Sequence, residues 1–251
     1  MTVPAIMACA LALLVSQPAP QGTPPAPTRA TAPSSVVPVP RTDGAAPRQE
    51  EVLNRVRQAK GPVPVVFVGD SITQGWEGAG AAAWKASMEP LGALNIGVGG
   101  DRTEHVLWRL REAPLTPLSP KAVVVMIGTN NAGHGTSTPG EILAGVRAVV
   151  STILAQCPST TVILLDIFPR GEQFNDMRGR IAQVNQALSR TEAFGPDASR
   201  VAWLPIGASF LELDGSISKQ VMPDSLHLSA EGYERWAAAL REPLRRAVSA
   251  P

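Results

Sequence analysis

Cysteine is almost missing from this 251-residue chain, which carries only Cys9 and Cys157. That excludes a disulfide framework and leaves cysteine usage silent on redox compartment. Aromatic residues are scarce as well, at 4%, and no long apolar insertion stands out that could serve as a lipase lid. No stretch approaches the ~18 consecutive apolar residues of a membrane span. Charge of one sign is not in excess either. Twenty-two Lys and Arg face 21 Asp and Glu, for a net +1 without a basic run. Electrostatics therefore gives no argument for nucleic acid or an anionic membrane as the main partner. The three histidines, His105, His134 and His227, lack Cys or Asp partners at ligand spacing, so neither metal nor cofactor is expected.

Proline, by contrast, is abundant at the front: ten of the chain's 24 fall within residues 1–47. Ala5 to Val15 is apolar, and its length suits the core of a signal peptide better than a spanning helix. We expect a signal peptide over residues 1–19, export to the periplasm or medium, and a mature chain beginning within residues 17–30. Residues 20–47 then read as a disordered proline-rich linker, with too few large apolar groups to offset ordering entropy.

From Arg48 onward strand and helix alternate. Val63–Val68 is a short β-branched run between Gly61-Pro62 and Gly69, as expected of a buried parallel strand. Ala93 to Ile96, Lys121 to Ile127, Thr161 to Leu165 and Val201 to Leu204 follow in the same manner. Between them, Thr138-Pro139-Gly140-Glu141 supplies an N-cap, a proline at N1 and a glutamate at N3. Ile142, Val146, Val149, Val150 and Ile153 then share one face at helical spacing. Asn175 to Arg190 and Ala230 to Val248 read as two further helices. The alternation predicts a three-layer α/β/α sandwich around a parallel sheet of about five strands, one domain over residues 48–251. Ligands of such sheets sit at the carboxyl ends of the strands.

The residues just after the strands are small and polar. Gly69-Asp70-Ser71 follows the first strand, and a serine on a tight strand-to-helix turn is exposed where helix dipole and backbone N–H groups favour an anion. Gly97-Val98-Gly99-Gly100-Asp101 follows the second, and glycine lets a backbone N–H approach a substrate closely. Gly128-Thr129-Asn130-Asn131 follows the third, and an Asn side chain is a neutral donor suited to an oxyanion. Near the C-terminus, Asp224 lies three residues before His227, close enough to fix the imidazole tautomer while the other ring nitrogen faces Ser71. Serine alone is a poor nucleophile, so such a base is a chemical requirement.

These blocks, in this order, resemble the GDSL-type or SGNH hydrolases. The finer match is to the catalytic subunits of intracellular platelet-activating-factor acetylhydrolase and their bacterial relatives. The resemblance rests on Val68-Gly69-Asp70-Ser71, Asn95 to Asp101, His105 to Leu110 and Gly128 to Asn131, extended by Phe168 to Glu172, Asp214-Gly215 and the block ending in His227. It covers roughly residues 50–245 and implies a flavodoxin-like frame. It also implies Ser71 as nucleophile, with Asp224 and His227 completing the catalytic set. The Ser71 N–H, the Gly100 N–H and the Asn130 side chain would form the oxyanion hole.

Ile72, Thr129 and Leu226 each neighbour one of these residues in the chain and are expected to wall a shallow acyl pocket, fitting acetyl better than long chains. The expected activity is hydrolysis of short-chain, acetyl-type esters, with an acetylated glycan among the candidate substrates. Alternatives are lysophospholipase or thioesterase chemistry on lipid esters, and a secreted binding module that keeps the fold alone. Homodimerisation is left open by the sequence.

Overall fold

The computed structural model of the protein describes residues 32–135 and 137–249. The expected signal peptide and residues 20–31 of the expected linker lie outside them. The five anticipated strands form as β1 (Val65–Gly69), β2 (Ala93–Asn95), β3 (Ala122–Met126), β4 (Thr161–Leu165) and β5 (Val201–Leu204). All neighbours are parallel, in the order β2-β1-β3-β4-β5. This flavodoxin-like order reverses direction beside β1, so the loops leaving β1 and β3 diverge and open a crevice at the carboxyl edge.

Among the described residues, eight α-helices accompany the sheet: α1 (Ala46–Gln58), α2 (Ser71–Gln74), α3 (Ala81–Ser87), α4 (Thr103–Glu112), α5 (Thr129–Gly133), α6 (Pro139–Gln156), α7 (Asp176–Leu188) and α8 (Ala230–Ser249). The helix α6 starts where its capping box predicts. Glu141 N donates to Thr138 Oγ1 at 3.3 Å, and Glu141 Oε2 accepts from Thr138 N at 2.7 Å.

The near-continuous apolar strands are buried on both faces because successive side chains alternate between two cores. Val66, Val68, Val123, Val125, Val162 and Leu164 join the apolar faces of α1, α4, α6 and α7. Val65, Phe67, Val124, Met126, Ile163 and Leu165 join Ile72, Trp76 and the inner face of α8. Much of the chain's small aromatic complement gathers in this second core, where Trp76 packs 4.8 Å from Tyr233 and 5.0 Å from Trp236 between ring centroids. The layer under α2 is thus a densely packed aromatic floor.

One expectation is corrected. The linker predicted to run to residue 47 is, over residues 32–47, part of the folded unit. Ser35 is fully buried; its Oγ donates to Glu141 O at 2.7 Å, and its carbonyl accepts from Thr103 Oγ1 at 2.8 Å. Val39 N donates to Glu104 O. Composition misled here because a few specific polar bonds, not apolar bulk, hold the segment. No helix among the described residues is long and apolar enough to cross a membrane.

Candidate active site

The crevice chemistry begins at the end of β1. Asp70 is the N-cap of α2, its Oδ1 accepting from Ile72 N at 3.0 Å, and this sharp turn lifts Ser71 to the first helical position. A helix's first N–H groups have no partner within the helix, so the Ser71 N–H points with the dipole into the crevice. From the far end of the chain, the loop before α8 brings in His227, whose Nε2 lies 2.9 Å from Ser71 Oγ. His227 Nδ1 lies 2.7 Å from Asp224 Oδ2. The other Asp224 oxygen accepts from the backbone N–H of His227 at 2.7 Å and of Leu226 at 3.1 Å. Partial burial opposes ionisation of Asp224, but the His227 side chain and these two N–H groups hold its carboxyl below the usual range. It is therefore a standing anion that fixes the ring orientation, leaving Nε2 toward the serine hydroxyl.

Two further candidate donors follow β2 and β3. Gly100 adopts φ +74°, and a Cβ there would come 3.0 Å from the Arg41 guanidinium, so only glycine presents its N–H this way without strain. Asn130, in the first turn of α5, spends one amide hydrogen on Asp101 O at 2.9 Å, which orients the other. Asn131 works one step behind it. Fully buried, its Oδ1 accepts from Thr103 N at 3.0 Å and its Nδ2 donates to Glu104 at 3.1 Å, which ties α5 to the start of α4.

A buried ion cluster backs this side. Asp101 accepts from Arg109 Nη2 at 2.7 Å and from Arg41 Nη1 at 3.0 Å. Arg41 Nη1 also donates to Gly99 O at 2.8 Å. His105 caps the first turn of α4, its Nδ1 accepting from Arg102 N at 3.0 Å; burial lowers its pKa, in keeping with a neutral structural ring. His134 is exposed at the end of α5. Burial pushes the Cys157 thiol up to about 11, which keeps it unreactive. No group of three His, Cys, Asp or Glu among the described residues is placed to hold a metal.

The structure thus gathers Ser71, Gly100, Asn130, Asp224 and His227 at one edge of the sheet. The three residues expected to wall an acyl pocket fare differently. Ile72 is only 1% exposed and belongs to the core under α2. On a first helical turn the side chain following an exposed one is carried back toward the sheet. Thr129 is also 1% exposed, and its carbonyl and hydroxyl both accept from Arg170 Nη1, at 3.0 and 3.3 Å. Leu226 alone is half-buried, its flank packed on that same core.

Sequence reasoning gave no site role to three arginines. Arg41 sits alone in a proline-rich stretch and gave no signal. Arg170 lies within charge reach of both Asp70 and Asp224, and its presence in the Phe168–Glu172 block was the available hint. Arg178, 9% exposed, donates to the carbonyls of Gly171 at 2.6 Å and Gly215 at 2.5 Å. Gly171 N in turn donates to Ser225 O at 2.8 Å, so Arg178 braces the loop that carries Asp224 and His227.

Residues 67–235 match the model of the GDSL-like Lipase/Acylhydrolase family. The human platelet-activating factor acetylhydrolase IB subunit alpha1 is 39% identical over 185 residues, 74% of this chain and 77% of that protein. The rat alpha2 subunit is 40% identical over 178 residues, 71% and 74% of the two chains. Among solved structures, a GDSL-like lipase from Bacteroides thetaiotaomicron superposes with a TM-score of 0.64 at 21% identity, covering 79% of this chain and 98% of that one. An acetylxylan esterase from Geobacillus stearothermophilus does so at 0.57 and 20% identity, covering 77% and 97%. The chain belongs to the GDSL-like lipase/acylhydrolase family and is a carboxylic ester hydrolase.

Proposed function

We propose that the protein is a serine esterase for short-chain, acetyl-type esters, with Ser71 as nucleophile, His227 as base and Asp224 as the carboxylate that orients it. The observation that carries this reading is the unbroken row of hydrogen bonds from Asp224 through His227 to Ser71 Oγ, at 2.7 and 2.9 Å. His227 Nε2 takes the hydroxyl proton as Ser71 Oγ attacks the ester carbonyl. The carbonyl oxygen becomes an oxyanion held by the Ser71 N–H, the Gly100 N–H and the second Asn130 amide hydrogen, each worth about 3 kcal/mol when well placed. The tetrahedral intermediate collapses, and His227 returns the proton to the leaving alkoxide. Water, deprotonated by the same nitrogen, then attacks the acyl-enzyme and regenerates Ser71.

The acetyl preference is supported by the relatives, which include acetylhydrolase subunits and an acetylxylan esterase. Ile72 and Thr129 give no open acyl channel beside the serine, since both are buried. Leu226 is the residue we propose to limit acyl length. A fluorophosphonate probe should label wild type and not Ser71→Ala. Wild-type kcat/KM should peak at p-nitrophenyl acetate among acetate, butyrate, octanoate and palmitate, and Leu226→Ala should move the optimum toward butyrate. A preference for octanoate or longer in wild type would overturn the acetyl assignment.

We propose further that the protein is exported, on the strength of the apolar Ala5–Val15 stretch, which lies outside the described residues. Sequencing the N-terminus of the cell-fractionated protein decides this, and an intact Met1 in the cytosol would refute it.

A further inference from the structure

Asn130 sits at the start of α5, whereas Asp224 and His227 lie on the loop before α8, so their relative placement needs a cross-tie. Arg170 and Gly171 supply one. The Arg170 side chain runs to α5, where its Nη1 donates to Thr129 O at 3.0 Å and to Thr129 Oγ1 at 3.3 Å. Next in the chain, Gly171 N donates at 2.8 Å to the carbonyl of Ser225, which follows Asp224 directly. The junction itself is fixed, since the Arg170 carbonyl accepts from Asn175 Nδ2 at 3.1 Å and from Arg178 Nε at 3.3 Å.

Both ends of this tie meet backbone that needs outside support. Gly128, the N-cap of α5, has φ +122°, a conformation suited to glycine, the residue with the least restrained backbone. The Thr129 carbonyl belongs to the same planar peptide unit as the Asn130 N–H. A donor on that oxygen therefore fixes the plane from which the Asn130 side chain departs. Ser225 has φ +58° without being glycine, and such a conformation persists only where its neighbours hold it.

We infer that Arg170 is a positioning residue for ester hydrolysis, holding the oxyanion donor Asn130 in register with the loop that carries Asp224 and His227. The inference rests on the serine-esterase reading above and extends it to a side chain that acts through Thr129.

The chemistry of the contact says which substitutions it tolerates. Both bonds to Thr129 come from one nitrogen, so a lysine ammonium can replace them and a methionine cannot. A cation is also matched there: burial lowers the Arg170 pKa, while Asp70 and Asp224 favour its charged form. Gly133, at the far end of α5, leaves room for the guanidinium. A Cβ on it would clash with Arg170 Nη1 and lie 3.0 Å from Cζ, and the three nearest atoms all belong to Arg170. Gly133 is helical without a positive φ, so alanine suits its backbone and displaces the arginine alone.

The test measures p-nitrophenyl acetate hydrolysis by the full chain, with active sites titrated by a fluorophosphonate so that only competent enzyme is counted. Arg170→Met should lower kcat about tenfold and change KM by less than about twofold, as loss of transition-state support requires. Arg170→Lys should recover most of that loss. Gly133→Ala should lower kcat about threefold in the wild type and no further in the Arg170→Met background. In the Asn130→Ala background, Arg170→Met should cost less than about twofold, because the donor it positions is gone. The inference is overturned by an unchanged kcat in Arg170→Met, by a fall expressed in KM alone, or by Arg170→Lys as impaired as Arg170→Met. A full loss retained in the Asn130→Ala background overturns it too. If Arg170→Met fails to fold, Gly133→Ala, alone and combined with Asn130→Ala, decides by the same criteria. Hydrolysis surviving in Ser71→Ala would instead remove the serine reading, and this inference with it.

Discussion

Asp70 and Ser71 are neighbours in sequence with opposite surroundings, and the contrast defines the residue scale of this site. Ser71 reaches the crevice and meets His227. We expect Ser71→Ala and His227→Ala each to lower kcat by at least ~10³, and Asn130→Ala by ~10² to 10³, because the first two remove the reacting pair and the last one oxyanion donor. Steady-state kinetics on p-nitrophenyl acetate measures this, and near-wild-type turnover in Ser71→Ala would sink the assignment. Asp70 is fully buried, and its Oδ2 has no hydrogen-bond partner. Burial raises its pKa to about 7, although the Ile72 N–H pulls the other way. A carboxyl whose folded pKa lies above its unfolded one favours folding most below the unfolded pKa, and that contribution drains away as pH rises to about 7. Asp70→Asn cannot ionise. Its stability relative to wild type should therefore climb between about pH 4 and pH 7, by on the order of a few kcal/mol, and level off above. Urea denaturation at a series of pH values reads this directly, and a pH-independent difference would refute it. At this scale the proposed nucleophile and oxyanion residues stand out in the sequence because they fall just after strands, whereas Asp224 and His227 stand out by their three-residue spacing before the last helix. Ile72 and Thr129 were misread because adjacency in the chain does not tell which way a side chain on a tight turn faces.

Between elements, the decisive contact is α8 against α2. Tyr233, the chain's single tyrosine, donates its hydroxyl to Ile72 O at 2.6 Å, one residue from the nucleophile. A Cβ on Gly75, just past the end of α2, would lie 2.1 Å from that hydroxyl and 3.1 Å from the ring carbon bearing it. Two effects compete in Tyr233→Phe, which loses a buried hydrogen bond but creates room at Gly75. Alone, it should cost about 1–3 kcal/mol, since the Ile72 carbonyl is left unsatisfied in an apolar layer. Gly75→Ala alone should be destabilising and should lower kcat by displacing α2. The double variant should be more stable than the sum of the two predicts, because removing the hydroxyl removes the clash. Thermal denaturation of the four proteins gives the coupling, and strict additivity would argue against this contact. The elements themselves were largely legible: the five strands and the capping box of α6 form within two residues of expectation, since uninterrupted β-branched runs and caps are local signals. The α2–α8 tie was not. It joins residues 161 positions apart, and no periodicity records a partner at that separation.

Over the whole molecule, the sheet order explains why the site lies beside β1 and β3, while the segment 32–45 braces Asp101, whose carbonyl holds Asn130. Three buried groups of the hydrolase domain depend on this segment: Thr103 Oγ1 donates to Ser35 O, Asp101 accepts from Arg41, and Glu104 O accepts from Val39 N. Removing the segment leaves each short of a partner. It also opens Asp101, whose backbone carbonyl holds Asn130 in place. Composition hid this role, because a stretch poor in large apolar groups can still be fixed by a few long-range polar bonds. Comparing residues 32–251 with residues 45–251 isolates the effect, since the cut keeps the whole of α1. Several lost bonds at about 1 kcal/mol each should lower the melting temperature of the shorter protein by ~5–10 °C. The shorter protein should also show a greater fall in kcat than in the binding of a substrate analogue, because it loses support for the oxyanion donors rather than the serine and its base. Equal melting temperatures would mean that the segment merely rests on the domain. A fall in stability with kcat intact in the surviving folded fraction would show that the donors keep their geometry without Arg41.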